Sequence, residues 1–321
     1  MATAAATTAE ATIPQPTEKP SARIWRVLKR NRLAMGGMCV LIVFFLAAVL
    51  GWLGTSGPSP VFDAAAVRLP DKLRPPLSRP TAAAIAEKDL PALGVYLLGT
   101  DELGRDVFTR MLEGARVSLS VGFVSVGIAI LLGVTLGGLA GYLGQRWRWV
   151  DTLFIGLVDI QLSFPTFFLI LTVIALLPPS IWNVMIVIGI TGWVGPARFV
   201  RAEILSLREQ EFVLAARSLG AGGSRLIFRH LLPNSMGPVL ISGTIGIATA
   251  ILTEAGLSFL GFGVPPPDAT WGNILSDGKK YLFDAPWLTY VPGIAILVVV
   301  LSFNLFGEGL RDALNPRLRG E

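Results

Sequence analysis

The residues equipped for chemistry are few and fall into three groups. Asp101, Glu102, Arg105 and Asp106 stand together within one short stretch. Such a carboxylate pair could serve a hydrolase, yet neither a nucleophile–base arrangement nor a metal set accompanies it. Thr100 or Asp101 capping a short helix with Arg105 and Arg110 on its face is the simpler account. Asp159 and Glu254 sit in apolar surroundings, where a carboxylate costs on the order of 2.5–3.5 kcal/mol unless paired or wetted. Either could meet a proton or an ammonium group along a path. The structural alternative is a bond to a backbone donor or to a nearby Ser or Thr, and Gln161 and Ser163 follow Asp159. His230 and Cys39 are each the single residue of their type. That excludes a multi-histidine metal centre, a thiolate zinc site and a disulfide framework. Gly272 to Lys280, GNILSDGKK, comes nearest to a P-loop. Its glycine spacing is one residue too long, and Lys280 stands where a Ser or Thr should ligate magnesium. No cofactor is expected on this chain.

The elements that position these residues are membrane spans. Of 321 residues, 52% are hydrophobic and 15% charged, against about 25% charged in a soluble domain. Uncharged runs long enough to cross about 30 Å of hydrocarbon recur along the chain. They predict an all-α membrane protein with six transmembrane helices at about 33–53, 117–144, 152–177, 181–197, 235–262 and 287–306. Residues 1–22, rich in Ala, Thr and Pro, read as a disordered tail. A basic cluster of Arg23, Arg26, Lys29, Arg30 and Arg32 precedes the first span, and the transmembrane domain takes in residues 23–321. Gly133, Gly137 and Gly141 recur at four-residue spacing, which lets helices approach closely in lipid. Pro165 predicts a kink in the third span. An even number of spans puts both termini on one side. Arg146 and Arg148 in the short 145–151 turn mark that side as cytoplasmic.

One cytoplasmic connection, residues 207–234, is longer than a simple return requires. From Leu207 to Leu219 it has good helix formers and no Pro or Gly, with Phe212, Ala215, Ala216 and Leu219 on one predicted face. Gly220 fits a helix stop, Ser224 can cap a second short helix, and Leu226, Ile227, Leu231 and Leu232 lead back to lipid ahead of Pro233. This is the layout of a helix-turn-helix displayed at the membrane surface. Docking to a partner and lying amphipathically on the lipid headgroups are both open on physical grounds. Flanking spans pin the segment to the membrane, so no nucleic acid is expected.

The order Ala215-Ala216-Arg217-Ser218-Leu219-Gly220, then Ile227 and Leu232-Pro233-Asn234, resembles the EAA loop of binding-protein-dependent ABC importer permeases. Leu98 to Arg110 (LGTDELGRDVFTR), Glu254 to Pro266 followed by Trp271-Gly272, and Asn304 to Pro316 (NLFGEGLRDALNP) are similar to motifs of the dipeptide, oligopeptide and nickel subgroup. Together they cover roughly residues 20–318 and point to its C-type subunit. One departure stands out. The family's eponymous Glu falls at Leu214, and Glu211 lies one turn earlier.

The resemblance implies the type I importer fold in a prokaryotic inner membrane. It implies a coupling loop that docks on an ATPase through Glu211, Ala215, Ala216, Arg217, Gly220 and Pro233. The expected partners are a second permease subunit, two ATPase subunits holding ATP and magnesium, an extracytoplasmic substrate-binding protein and the lipid bilayer. Asp159 and Glu254 are candidates for the translocation path. Gly99, Thr100, Asp101, Gly104, Arg105 and Asp106 form a candidate outer-face motif. The expected function is ATP-driven import of di- or oligopeptides by alternating access. A proton-coupled secondary transporter using Asp159 or Glu254 is the rival, and it leaves the 207–234 loop without a role.

Overall fold

The computed structural model describes residues 20–57, 60–81 and 90–314. The expected disordered tail, apart from its last three residues, and the segment after Leu314 lie outside the described residues. Helix α1 (Pro20–Arg30) is amphipathic and precedes α2 (Arg32–Thr55), whose first turn is capped by the Asn31 side chain. Then come α3 (Val107–Leu143), α4 (Arg148–Leu162), α5 (Thr166–Leu176), α6 (Ile181–Thr191), α7 (Val194–Leu207) and α8 (Glu211–Ser218). The three-residue α9 (Gly223–Arg225) runs through a π-helical stretch, Leu226–Leu231, into α10 (Leu232–Phe259). Two further helices, α11 (Trp271–Gly278) and α12 (Trp287–Leu314), complete the order.

Among the described residues, five helices are long and apolar enough to cross a membrane: Arg32–Thr55, Val107–Leu143, Ile181–Leu207, Gly223–Phe259 and Trp287–Leu314. The third predicted span, 152–177, is a bent pair. Helices α4 and α5 meet at 83°, so Pro165 marks a break between two helices where the sequence predicted a kink in one. The cause is local. Pro165 has no N–H for the helix before it and serves as the N-cap of α5. All five of the other helices are longer than the spans predicted for them. The second begins at Val107 because Asp106 caps it, and the fourth continues to Leu207 through arginine-bearing turns.

Helix α3 is the centre of the bundle, and its glycines let neighbours reach its backbone. A Cβ on Gly137 would fall 2.2 Å from the Ala197 carbonyl oxygen of α7, and one on Gly133 2.7 Å from Pro196. Gly141 meets Arg201 and Ile204 of the same helix. The predicted glycine stripe is therefore the α3–α7 seam. A main core of Val121, Ile247, Ile251, Leu257 and Val299 joins α3 to α10 and α12. Gly137→Ala is expected to destabilise the chain by about 3 kcal/mol, since a backbone carbonyl cannot give way as a side chain can. Gly127→Ala on the same helix meets nothing within 4 Å and should be neutral or stabilising. Thermal unfolding of the two purified variants checks the pair. Equal midpoints would contradict the seam.

Candidate functional site

The 207–234 loop is the first candidate. The predicted helix from Leu207 is interrupted, because Arg208–Gln210 form a turn and α8 begins only at Glu211. Val213 is the buried residue of α8 and packs on Val200, Ile204, Leu226 and Leu231. Ala216 leans on the same cluster, half-buried, so the predicted four-residue face divides. Phe212, Ala215 and Leu219 point away from the protein, and Leu219 is 89% exposed. Glu211, Leu214 and Arg217 are also exposed. Gly220 ends the helix as predicted, with φ +81°, and the N–H groups of Gly220 and Ala221 donate back to the Arg217 and Ala216 carbonyls.

Beyond Gly220 one expectation fails, the cap at Ser224. The next helix, α9, has Gly222 at its N-cap position and no side-chain cap, so Ser224 does not cap it. Leu226 and Leu231 pack into the protein, and only neighbours such as Phe228, 72% exposed, face outward. Pro233 sits at the second residue of α10, directly after the π-helical stretch, inside a helical run that continues from Gly223 rather than closing a loop.

At the opposite, α11 end, the LGTDELGRD motif folds into a charged clamp. It is a tight turn, not the short helix that Thr100 or Asp101 was expected to cap; Asp106 is the cap, and it starts α3. Asp101 is fully buried, and its Oδ1 accepts from the Leu103 and Arg105 N–H groups at 2.9 Å each. Its Oδ2 accepts from Arg105 Nε and Arg110 Nη1, both at 2.6 Å. Both arginines also reach Asp277 of α11, at 3.4 and 3.1 Å. The turn needs its glycines. Gly104 has φ +72°, and a Cβ there would stand 1.9 Å from the Arg68 carbonyl oxygen; Gly99, at φ +80°, abuts Arg74 and Trp287. Thr100 donates to the Asp71 carbonyl, and its own carbonyl accepts from the Trp287 indole at 3.1 Å.

Asp71 anchors the preceding segment. Thr81 donates to it through N–H and hydroxyl, and the Tyr96 hydroxyl does so at 2.8 Å. Burial alone would raise the Asp71 carboxyl, but these bonds and Arg74 outweigh it and hold the group below the usual carboxylate range. Burial and the same bond to Asp71 push the Tyr96 phenol up. With its folded pKa depressed, Asp71 contributes stability that is complete above its unfolded value of about 3.9 and is lost as pH falls through the folded value. The unfolding midpoint of the wild type should therefore fall more steeply below about pH 4 than that of Asp71→Asn. Parallel pH profiles would contradict this.

Between α3, α5, α7 and α10 lies an open groove of about 280 Å³. Its walls are apolar apart from the hydroxyls of Ser125, Thr166, Thr191, Ser242, Thr249 and Thr253. Thr191, Thr249 and Thr253 donate to carbonyls of their own helices, which leaves their oxygens free to accept. The Ser242 hydroxyl is buried with no hydrogen-bond partner among the described residues. Neither Asp159 nor Glu254 lines this groove. Asp159 is exposed on α4, one turn before the 83° break, and its carboxylate takes no hydrogen bond among the described residues. Glu254 is buried where α10 meets α11: Ser258 Oγ donates to Oε1 at 2.7 Å, and the side chain of Thr270, the N-cap of α11, lies close by.

The structure thus gathers Gly99 through Asp106 into one clamp, places Glu211 through Gly220 on one displayed element, and leaves Asp159 and Glu254 apart. Sequence reading missed Asp277, which lies over 160 residues from Arg110 and has no local signal. It also missed Arg208, whose burial follows from the unforeseen turn after α7.

Residues 129–320 match the family described as the binding-protein-dependent transport system inner membrane component, and residues 19–76 match the N-terminal TM domain of oligopeptide transport permease C. The dipeptide transport system permease protein DppC of Alkalihalophilus pseudofirmus is 40% identical over 300 residues, 94% of this chain and 91% of that protein. The oligopeptide transport system permease protein OppC of Bacillus subtilis is 36% identical over 305 residues, 94% and 92% of the two chains. A solved chain of the inward-facing MetNI methionine ABC transporter aligns at a TM-score of 0.49 and 18% identity, over 65% of this chain and 98% of that one. With a family match over more than half its length and relatives of this identity along nearly all of it, the chain belongs to the binding-protein-dependent transport system inner membrane components as a multi-pass inner-membrane permease.

Proposed function

We propose that the chain is one of two permease subunits of an ATP-driven importer of di- or oligopeptides. The observation that carries this reading is the displayed α8, which turns Phe212, Ala215 and Leu219 outward at the end of the bundle where Arg146 and Arg148 lie. Apolar residues uncovered in a polar setting mark a contact surface. Two ATPase subunits, holding ATP and magnesium, would dock there on the cytoplasmic side, with both termini on that side. A related permease subunit would cover the hydroxyl-bearing groove. The clamp at the α11 end would face a substrate-binding protein.

The groove suits a peptide. The hydroxyls of Ser125, Thr191, Thr249 and Thr253 are spent as donors on helix carbonyls and remain acceptors for peptide N–H groups, while the apolar walls tolerate varied side chains. The names of the relatives support the same substrate class. Transport would follow from closure of the ATPases, which moves α8 and, through Val213 and its neighbours, the ends of α7 and α10.

Uptake of a labelled dipeptide into proteoliposomes holding the assembled importer tests this. With ATP held constant, uptake should continue when a protonophore collapses the proton gradient, and Glu254→Gln and Asp159→Asn should retain most of it. Uptake that stops with the protonophore, or with either neutral variant, would favour a proton-coupled transporter.

A further inference from the structure

At the α8 end, the last turn of α3, the link to α4, the C-cap of α7, the end of α8 and the start of α9 line an open cavity of about 450 Å³. Its polar lining is Tyr142, Gln145, Arg146, Trp147, Arg208 and Arg217, and no acidic residue lines it. Arg208 is 7% exposed. Its Nη1 donates to the Gly141 carbonyl at 3.4 Å and its Nη2 to the Gln145 side-chain oxygen, while Nε is buried without a hydrogen-bond partner among the described residues. Among the described residues, the one carboxylate near it is Glu209, at 4.0 Å and itself largely exposed.

Arg201 on the same helix shows the contrast. Asp151 clamps it with two bonds of 2.7 and 2.9 Å. Arg208 has no such clamp, and a buried guanidinium without an anion is strongly unfavourable. Arg146 and Arg217 bring two more guanidinium groups to the same cavity, and neither has a carboxylate partner among the described residues. Arg146 instead lies over the Trp147 ring at 5.9 Å.

We propose that this cavity binds a phosphate group, supplied by the headgroup of an anionic phospholipid. A phosphate accepts from several directions at once, and planar guanidinium forks match its oxygens. The depth favours lipid. The cavity lies where α3 and α7 end, and the adjoining turn exposes Trp147 and Trp149, residues that settle at the headgroup level. Three arginines with one exposed carboxylate, Glu209 at 4.0 Å from Arg208, among them also favour a headgroup of net negative charge over a zwitterionic one. A bound headgroup would tie the α3–α4 link to Arg217 of α8, independently of which substrate is carried.

Native mass spectrometry of the full chain, titrated with dioctanoyl phosphatidylglycerol, dioctanoyl phosphatidylcholine and inorganic phosphate, tests the proposal. One saturable phosphatidylglycerol site is expected, with phosphatidylcholine binding roughly tenfold more weakly. Arg208→Gln should remove the site. Arg146→Gln, an exposed substitution that keeps the fold, should weaken it roughly tenfold and carries the test if Arg208→Gln does not fold. Inorganic phosphate that occupies the site and displaces the lipid would uphold the phosphate site and overturn its lipid source. Equal phosphatidylglycerol binding by wild type and Arg146→Gln would overturn the proposal. So would the lack of saturable binding by any probe, which would leave a partner subunit's carboxylate as the counter-ion of Arg208.

Discussion

Ala215→Glu is expected to abolish ATP-driven uptake while the chain remains folded and inserted. Ala215 is exposed and, unlike Ala216, does not join the apolar cluster beneath α8, so the substitution leaves the bundle intact. In the assembled importer the same position would face an ATPase, and a carboxylate there would be buried without a partner. Truncating or mispairing a buried interfacial charge costs on the order of 3 kcal/mol, about a hundredfold in docking. Ala216 is the less informative neighbour. It leans half-buried on the cluster around Val213, so Ala216→Glu would disturb the chain's own packing as well as any partner. Uptake, ATP hydrolysis and the amount of inserted chain should be measured together. Normal uptake by Ala215→Glu would remove α8 from the mechanism.

The second large effect is expected at Asp101. Its carboxylate takes two backbone N–H groups and two guanidinium groups, and Arg110 beside it is nearly as buried. Asp101→Ala leaves those donors without their acceptor, with only Asp277 to share between two arginines. Breaking one partner out of a buried ion pair costs about 3–5 kcal/mol. The clamp joins the turn before α3 to α11, so both should loosen. A lower thermal midpoint, faster proteolysis between Gly99 and Asp106 and reduced uptake should appear together. Arg105→Lys should be milder, because Asp101 keeps Arg110. Unchanged stability and uptake in Asp101→Ala would show that the clamp is ornamental.

What could be read from sequence follows the range of the interaction. Uncharged runs gave the spans, because the hydrocarbon thickness is a length that composition can match. The glycine stripe gave a close seam but not its partner; that α7 fills it depends on the bundle. Gly220 was legible because a helix stop is local, with its two return bonds within five residues. The orientation of α8 was not, since periodicity alone cannot say that Val213, rather than Ala216, is its buried anchor. The residues of the outer motif were correctly grouped but given the wrong local shape. Gly99 and Gly104 at positive φ make a turn where spacing suggested a helix. Asp277, the fourth member of the clamp, comes from the far side of the sequence and left no mark there.

Site-directed cross-linking of α8 in the assembled importer tests the central claim most directly. Cys39, the single native cysteine, is exposed and would first be replaced by Ser. Cysteines at Ala215 and Leu219, bearing a short photo-reactive linker, should each form an adduct with an ATPase subunit, and the yield should change when ATP is bound. A cysteine at Val213, buried beneath them, should form none. ATPase adducts at the two outward positions and not at Val213 are the predicted result. Adducts with lipid alone at Ala215 and Leu219 would contradict the account and make α8 a helix that lies on the membrane surface.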